Sequence, residues 1–280
     1  MKLLSIIIPS YNQGCFIEET FQSVISQMTD EVEILVFDGG STDNSVELIK
    51  KYASSFAYWQ SQKDGGQSNA INQGFLRATG KYVTWLNSDD VLLNGALDHI
   101  ISSIKSHPEV DWFLGNVLWL NKTGNVIRVG KVEQESHFWN KRFLFSNGGP
   151  SAILNRNKLI ELGALREDFH YMMDTELWLR LIKNGVFFKR INSYLWGLRL
   201  HENAKMSGHN FAESSLADKN HPSWIQKRQE NQFLEDNYHI GKTEKTIWRL
   251  TKIVDPIIYS RYFDRKLLGR HYMDIDHSLL

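Results

Sequence analysis

The sequence predicts an α/β protein with a doubly wound, mixed but mainly parallel sheet and a helical extension at its C-terminal end. Three observations carry this. Residues 3–8, broken only by Ser5, and residues 34–37 are apolar runs, the mark of strands buried on both faces of a parallel sheet. Strand-like runs alternate with segments of helical apolar spacing four times before residue 107, which implies right-handed crossovers. Beyond residue 224 the pattern is helical again, now interleaved with basic and aromatic residues. The expected division is an α/β domain over 1–205, then a mobile loop and helical extension over 206–280.

The first strand ends at Pro9, and Ser10-Tyr11-Asn12-Gln13-Gly14 reads as a loop. Phe16, Phe21, Val24, Ile25 and Met28 then recur at helical spacing. The second strand runs into Asp38-Gly39-Gly40-Ser41-Thr42-Asp43, and Asn44 with Glu47 three residues on signals a helix start. Residues 57–60 form a weaker third strand. Lys63-Asp64-Gly65-Gly66-Gln67 opens a helix carrying Ala70, Ile71, Phe75 and Ala78, which Gly80 stops. Tyr82, Val83, Trp85 and Leu86 make a fourth strand that delivers Asn87-Ser88-Asp89-Asp90.

After a helix over 95–106 the alternation breaks down. Residues 112–120 and 126–129 read as strands around an Asn121–Asn125 hairpin turn, so antiparallel strands are expected beside the parallel ones. Ser146-Asn147-Gly148-Gly149-Pro150 is a glycine-rich loop before a short strand over 152–154. A helix begins at Asp174 and closes at Gly185. Residues 186–191 and 194–200 read as two strands, the second delivering His201. Residues 202–223 are polar and aperiodic.

Composition narrows the classes. In 280 residues, 32 Lys and Arg balance 32 Asp and Glu, so no global field draws the chain to nucleic acid. Cys15 is the only cysteine, which excludes an internal disulfide and fits a reducing cytoplasm. Pro9 ends the first apolar run far short of a signal peptide or a membrane span. A cytoplasmic protein is expected.

Asp38, Asp89 and Asp90 each follow a buried strand, and ligands of open α/β sheets sit beyond the carboxyl ends of strands. Adjacent carboxylates repel, and a divalent cation bridging them to a phosphate relieves this. The plainer reading of Asn87-Ser88-Asp89-Asp90 is a polar turn before a helix. For His201 it is an ordinary surface histidine, and for Asp174 a helix N-cap. No Gly-x-x-x-x-Gly-Lys-Ser/Thr run and no Gly-x-Gly-x-x-Gly follow the first strand, which weakens nucleoside-triphosphate hydrolysis and dinucleotide binding.

In residues 1–205 six segments, in order, resemble the family 2 inverting glycosyltransferases of GT-A fold. They are Ser5–Asn12, Asp38–Asp43, Asp64–Asn72 with Gly80, Asn87–Asp90, Asp174–Leu181 and Leu198–His201. The resemblance implies a nucleotide-diphosphate sugar donor, by default a UDP-sugar, held by Pro9, Tyr11, Asn12, Asp38, Gly66, Gln67, Asn69, Asn87, Ser88 and Asp89. It implies Mg²⁺ or Mn²⁺ on Asp89, Asp90 and His201, and Asp174 as the base that deprotonates the acceptor. Gly148, Gly149 and Pro150 would shape the acceptor side. The acceptor expected is a saccharide or lipid-linked saccharide, as in bacterial surface polysaccharide synthesis. Gly39 and Asn87 depart from the family pattern, where acids are frequent.

The basic, aromatic stretch over 242–270 is expected either to pack on the domain or to rest on an anionic membrane, which would place the protein peripherally on the inner face of the plasma membrane. Two rival functions remain: a catalytically dead sugar- or partner-binding scaffold, and a sugar nucleotidyltransferase. The second would need a cationic glycine-rich loop after the first strand, and Tyr11-Asn12-Gln13-Gly14 carries no cation.

Overall fold

The computed structural model describes residues 2–132, 151–202, 204, 222–238 and 267–275. Strands β1 (Leu4–Ser10), β2 (Val32–Asp38), β3 (Tyr58–Ser61) and β4 (Tyr82–Trp85) alternate with helices α1 (Ile17–Ile25), α2 (Ser45–Lys51) and α3 (Gln67–Arg77). Then come β5 (Val91–Leu92), α4 (Ala96–Ser106), β6 (Trp112–Leu120), β7 (Val126–Gly130), β8 (Ala152–Asn155), α5 (Arg156–Glu161), α6 (Met173–Lys183), β9 (Lys189–Arg199) and α7 (Pro222–Tyr238). One nine-stranded sheet has the order β3-β2-β1-β4-β8-β6-β9-β5, with β7 beside β6. The mixed, mainly parallel α/β architecture is the expected one.

Strand direction decides where the site can be. β1 to β4 pair in parallel, β8 is antiparallel to β4, and β6 is antiparallel to β8. Two reversals restore the first direction, and β9 runs parallel to β6. The C-terminal ends of β1, β2, β4 and β9 therefore open on one edge of the sheet.

Alternate residues of β1 serve opposite faces. Ile7 joins Leu35, Val83 and Trp85 under α3 and α6, whereas Ile6 and Ile8 join Val36 and Ile100 under α1 and α4. In the first layer the ring of Trp178 on α6 stacks on Trp112 at 5.0 Å and on Trp85 at 5.9 Å. That stack fastens α6 to the strand ending just before Asn87. Trp178→Ala is expected to destabilise the fold by about 3–5 kcal/mol in urea unfolding, because a fully buried ring leaves a cavity.

Several local expectations change. The two strands expected over 186–200 are one, β9. Its pairing with β6 skips from Gly115↔Ile191 to Asn116↔Tyr194, so Asn192 and Ser193 form a bulge, not a turn. Met172, not Asp174, is the N-cap of α6, and Asp43 accepts the Ser45 N–H at the start of α2. β5 and α5 carried no sequence signal that was read. α5 is capped by Asn155, whose Oδ1 accepts from Asn157 and Lys158.

The described parts of the stretch after 205 pack on the domain. Leu234 of α7 is buried in the α3–α6 layer, while Leu267, Tyr272 and Ile275 are buried with Leu118, Leu120 and Val126. Gly148, Gly149, Pro150, most of the expected mobile loop and most of the basic stretch lie outside the described residues. Among those described, no helix is long and apolar enough to cross a membrane.

Candidate functional site

The site lies where β1, β2, β4 and β9 end. Pro9 and Ser10 are buried in β1, and beyond them Tyr11 is 62% exposed. Asn12 sits at φ +53°, a left-handed conformation that asparagine tolerates. Its Oδ1 accepts the Thr42 N–H at 2.8 Å and its own N–H donates to Ser41 Oγ at 2.8 Å. The β1 and β2 loops are thus laced together. Pro9 is buried at the end of β1, just before this loop.

Asp38 is almost fully buried. Its carboxylate accepts N–H bonds from Gly40 and Ser41 and hydroxyl bonds from Ser41 and Ser61. It folds the β2 loop from within. A Cβ on Gly39 would stand 3.2 Å from both carboxylate oxygens of Asp64, so an acid at position 39 would meet like charge. Asp64 in turn accepts the Gly66 N–H, and Gly66, at φ +99°, is the N-cap of α3.

Residues 87–90 alternate in direction. Asn87 and Asp89 are partly exposed, whereas Ser88 and Asp90 are buried at 3% and 4%. Thr20 Oγ1 donates to the carbonyls of Ser88 and Asp90 at 3.0 and 2.7 Å, which sets the turn. Ser88 and Asp90 are thus turned into the protein, leaving Asn87 and Asp89 as the more accessible side chains of the four. Its carboxylate accepts from Asn87 Nδ2 at 3.0 Å and from the Arg199 N–H at 2.8 Å. Burial, and then the neighbouring Asp89, push the Asp90 carboxyl well above the usual carboxylate range. Asn87 also accepts from Gln67 Nε2 at 2.7 Å.

Asp89 meets His201. Oδ2 lies 3.0 Å from His201 Nε2, and Phe16 flanks the imidazole at 4.6 Å between centroids. Among the described residues no group of three acids or histidines gathers for a metal. The pair alone still fits a hard cation, since Mg²⁺ is commonly held by one or two carboxylates together with substrate phosphates and water. The donor chemistry of the pair suits Mg²⁺ or Mn²⁺, while Asp90 is buried and accepts from Asn87 and Arg199.

Arg199, unnoticed in the sequence, organises this corner. Nε donates to the Asp89 carbonyl at 3.0 Å, Nη1 to the Lys122 carbonyl at 3.0 Å and Nη2 to Glu19 at 2.6 Å. Tyr272 Oη donates to the other Glu19 oxygen at 2.7 Å, tying the C-terminal segment to the same hub. Its only advance sign was a cation between Leu198 and Leu200 on a buried strand.

Asp174 lies in the first turn of α6, partly exposed, with Oδ1 accepting the Thr175 N–H. Ser68 Oγ approaches Met173 Sδ at 2.9 Å and the Phe169 carbonyl at 3.3 Å. The start of α6 therefore sits on the start of α3, whose Gln67 touches Asn87. Asn69 is drawn elsewhere, bonding Glu167 at 3.0 Å. A cavity of about 240 Å³ lined by His99, His107, Lys189 and Arg190 lies at the opposite sheet edge, where β9 begins, and takes no part.

Comparison with known proteins fits this arrangement. The chain is 31% identical over 197 residues to GalNAc(5)-diNAcBac-PP-undecaprenol beta-1,3-glucosyltransferase of Campylobacter jejuni, covering 67% of this chain and 62% of that protein. It is 29% identical over 135 residues to poly-beta-1,6-N-acetyl-D-glucosamine synthase of Staphylococcus aureus, 48% of this chain and 33% of that one. The chain thus spans less than two thirds of either relative. The structure of S. aureus TarS 1-349 in complex with UDP-GlcNAc superposes with a TM-score of 0.57 at 20% identity, covering 87% of this chain and 74% of that one. The fold is therefore GT-A. Residues 5–157, more than half of the chain, match the family described as Glycosyl transferase family 2, and to that family the chain belongs.

Proposed function

We propose that the chain transfers a sugar, with inversion, from a nucleotide-diphosphate donor to the hydroxyl of a saccharide or lipid-linked saccharide. The carrying observation is the 3.0 Å meeting of Asp89 and His201 at the strand-end edge, in the corner that also holds the Asp38 loop and, through Ser68 and Gln67, the start of α6. The relatives' names point to sugars and acceptors of this class, and UDP-GlcNAc is the sugar nucleotide named with TarS.

The loops after β1 and β2 form the nucleotide side. Tyr11 offers an exposed ring for stacking, Asp38 holds the base-binding loop in shape, and Asn87, its amide engaged with Gln67 and Asp90, lines the ribose side. When bound, Mg²⁺ or Mn²⁺ on Asp89 and His201 would supply positive charge against the diphosphate. Asp174 takes the proton of the acceptor hydroxyl as that oxygen bonds to the anomeric carbon. The bond from that carbon to the diphosphate oxygen breaks, and its electron pair leaves with the nucleoside diphosphate. Attack from the opposite face inverts the centre. A lipid-linked acceptor would put the work at the cytoplasmic face of a membrane.

The test is a panel of UDP-, GDP- and dTDP-sugars with Mn²⁺, reading diphosphate release with water and with added saccharides as acceptors. Release from one sugar nucleotide, accelerated by an acceptor, is expected. Tight binding without turnover of any donor would favour the scaffold reading.

A further inference from the structure

The start of α6 has no cap of its own, because the Met172 side chain makes no capping bond. Glu230, from the middle of α7, instead grips the residues that lead into the helix. Its carboxylate accepts the His170 N–H at 2.7 Å, the Tyr171 N–H at 3.0 Å and the Met172 N–H at 2.9 Å, although some 60 residues separate the partners. It is only 4% exposed. Bonds from backbone N–H groups to a carboxylate are charge-assisted, and an acid at a helix N-terminus also meets the positive end of the helix dipole.

The segment between α5 and α6 is gripped on two sides. Asn72 on α3 exchanges bonds with the Leu165 backbone in both directions and reaches Glu167. On the other side α7 lays Phe233 edge-on against Phe169 at 5.4 Å, with Arg166 over the Phe233 ring at 4.2 Å. Further along, Tyr238 Oη donates to Glu176 at 2.6 Å. Packing along α7 holds the two helices together, and the Glu230 carboxylate reaches the three amides two to four residues before Asp174.

We infer that Glu230 is a positioning residue for the transfer reaction: by clamping the amides of residues 170–172 it sets the direction in which Asp174 enters the acceptor side. This rests on the assignment of Asp174 as the base. The donor side is held by other elements, so the clamp acts on turnover and not on donor affinity. A displacement of the base by an ångström is enough to slow turnover by about 10²-fold.

The experiment compares wild type, Glu230→Gln, Tyr238→Phe, Asp174→Asn and the double variant Glu230→Gln/Asp174→Asn. The probes are UDP-glucose and UDP-N-acetylglucosamine with Mn²⁺ and water as acceptor, together with UDP affinity and amide hydrogen exchange. Glu230→Gln keeps the volume but turns an amide N–H₂ toward backbone N–H groups. It is expected to lower kcat about 10- to 100-fold with UDP affinity within about twofold, and to speed exchange at residues 170–172. Tyr238→Phe, which loosens the same helix pair elsewhere, should keep kcat near wild type. The double variant should be no slower than Asp174→Asn. Unchanged kcat or exchange in Glu230→Gln, equal losses in Tyr238→Phe, or lost UDP affinity would each overturn the inference. An active Asp174→Asn would instead overturn the assignment of the base, and a wild type that releases no UDP would overturn the UDP-sugar reading.

Discussion

Asp174→Asn is expected to reduce sugar transfer by about 10²–10⁴-fold, the contribution of a positioned general base, while leaving nucleotide affinity unchanged. The substitution is nearly isosteric, and the amide oxygen of asparagine can still accept the Thr175 N–H that Oδ1 accepts now. The lead-in to α6 is held by Glu230 and the helix is stapled by Trp178, so its fold does not depend on the charge at 174. Loss of the proton acceptor is then the one change the reaction feels. The check is single-turnover transfer at saturating donor alongside calorimetry with UDP. Transfer at the wild-type rate would mean that another group takes the proton.

Arg199→Met is expected to harm both stability and donor binding. The guanidinium is 2% exposed and paired with Glu19, which is 34% exposed. Removing one partner of a buried pair costs about 3–5 kcal/mol when the other stays uncompensated. Glu19 can regain water and keeps the Tyr272 hydroxyl, which points to the lower end, about 3 kcal/mol. The functional loss comes through the Asp89 carbonyl, whose bond to Nε pins the 87–90 turn. Arg199→Lys should not rescue it, because one ammonium cannot span the Asp89 and Lys122 carbonyls and the Glu19 carboxylate together. Urea unfolding reads the first effect and UDP affinity the second; a variant as stable as wild type would contradict the role of the hub.

What the sequence made legible was set by periodicity. β1 and β2 stood out as apolar runs because both their faces are covered, β4 by its β-branched and aromatic residues, and each ended in a polar loop at the same edge. Asp89 and His201 were expected together and lie together. The direction of Ser88 and Asp90 was not legible, since the turn is set by Thr20 reaching across from α1. Asn192 and Ser193 fell between two expected strands because a bulge, like a strand end, interrupts the apolar pattern with polar residues. Glu230 could not be picked out of a polar helix, because its partners are backbone amides that leave no mark in side-chain pattern. Contacts of this kind, such as Thr20 to the Ser88 and Asp90 carbonyls and Arg199 to Glu19, join residues far apart in the chain and leave no periodic signal.

The central claim is that Asp89 and His201 hold a divalent cation against a nucleoside diphosphate. Calorimetric titration of UDP into wild type and Asp89→Ala, each with and without Mn²⁺, tests it most directly. The account predicts that Mn²⁺ tightens UDP binding to wild type by about tenfold or more, some 1.4 kcal/mol, and that Asp89→Ala loses this gain. Equal affinity with and without Mn²⁺ in both proteins would contradict it.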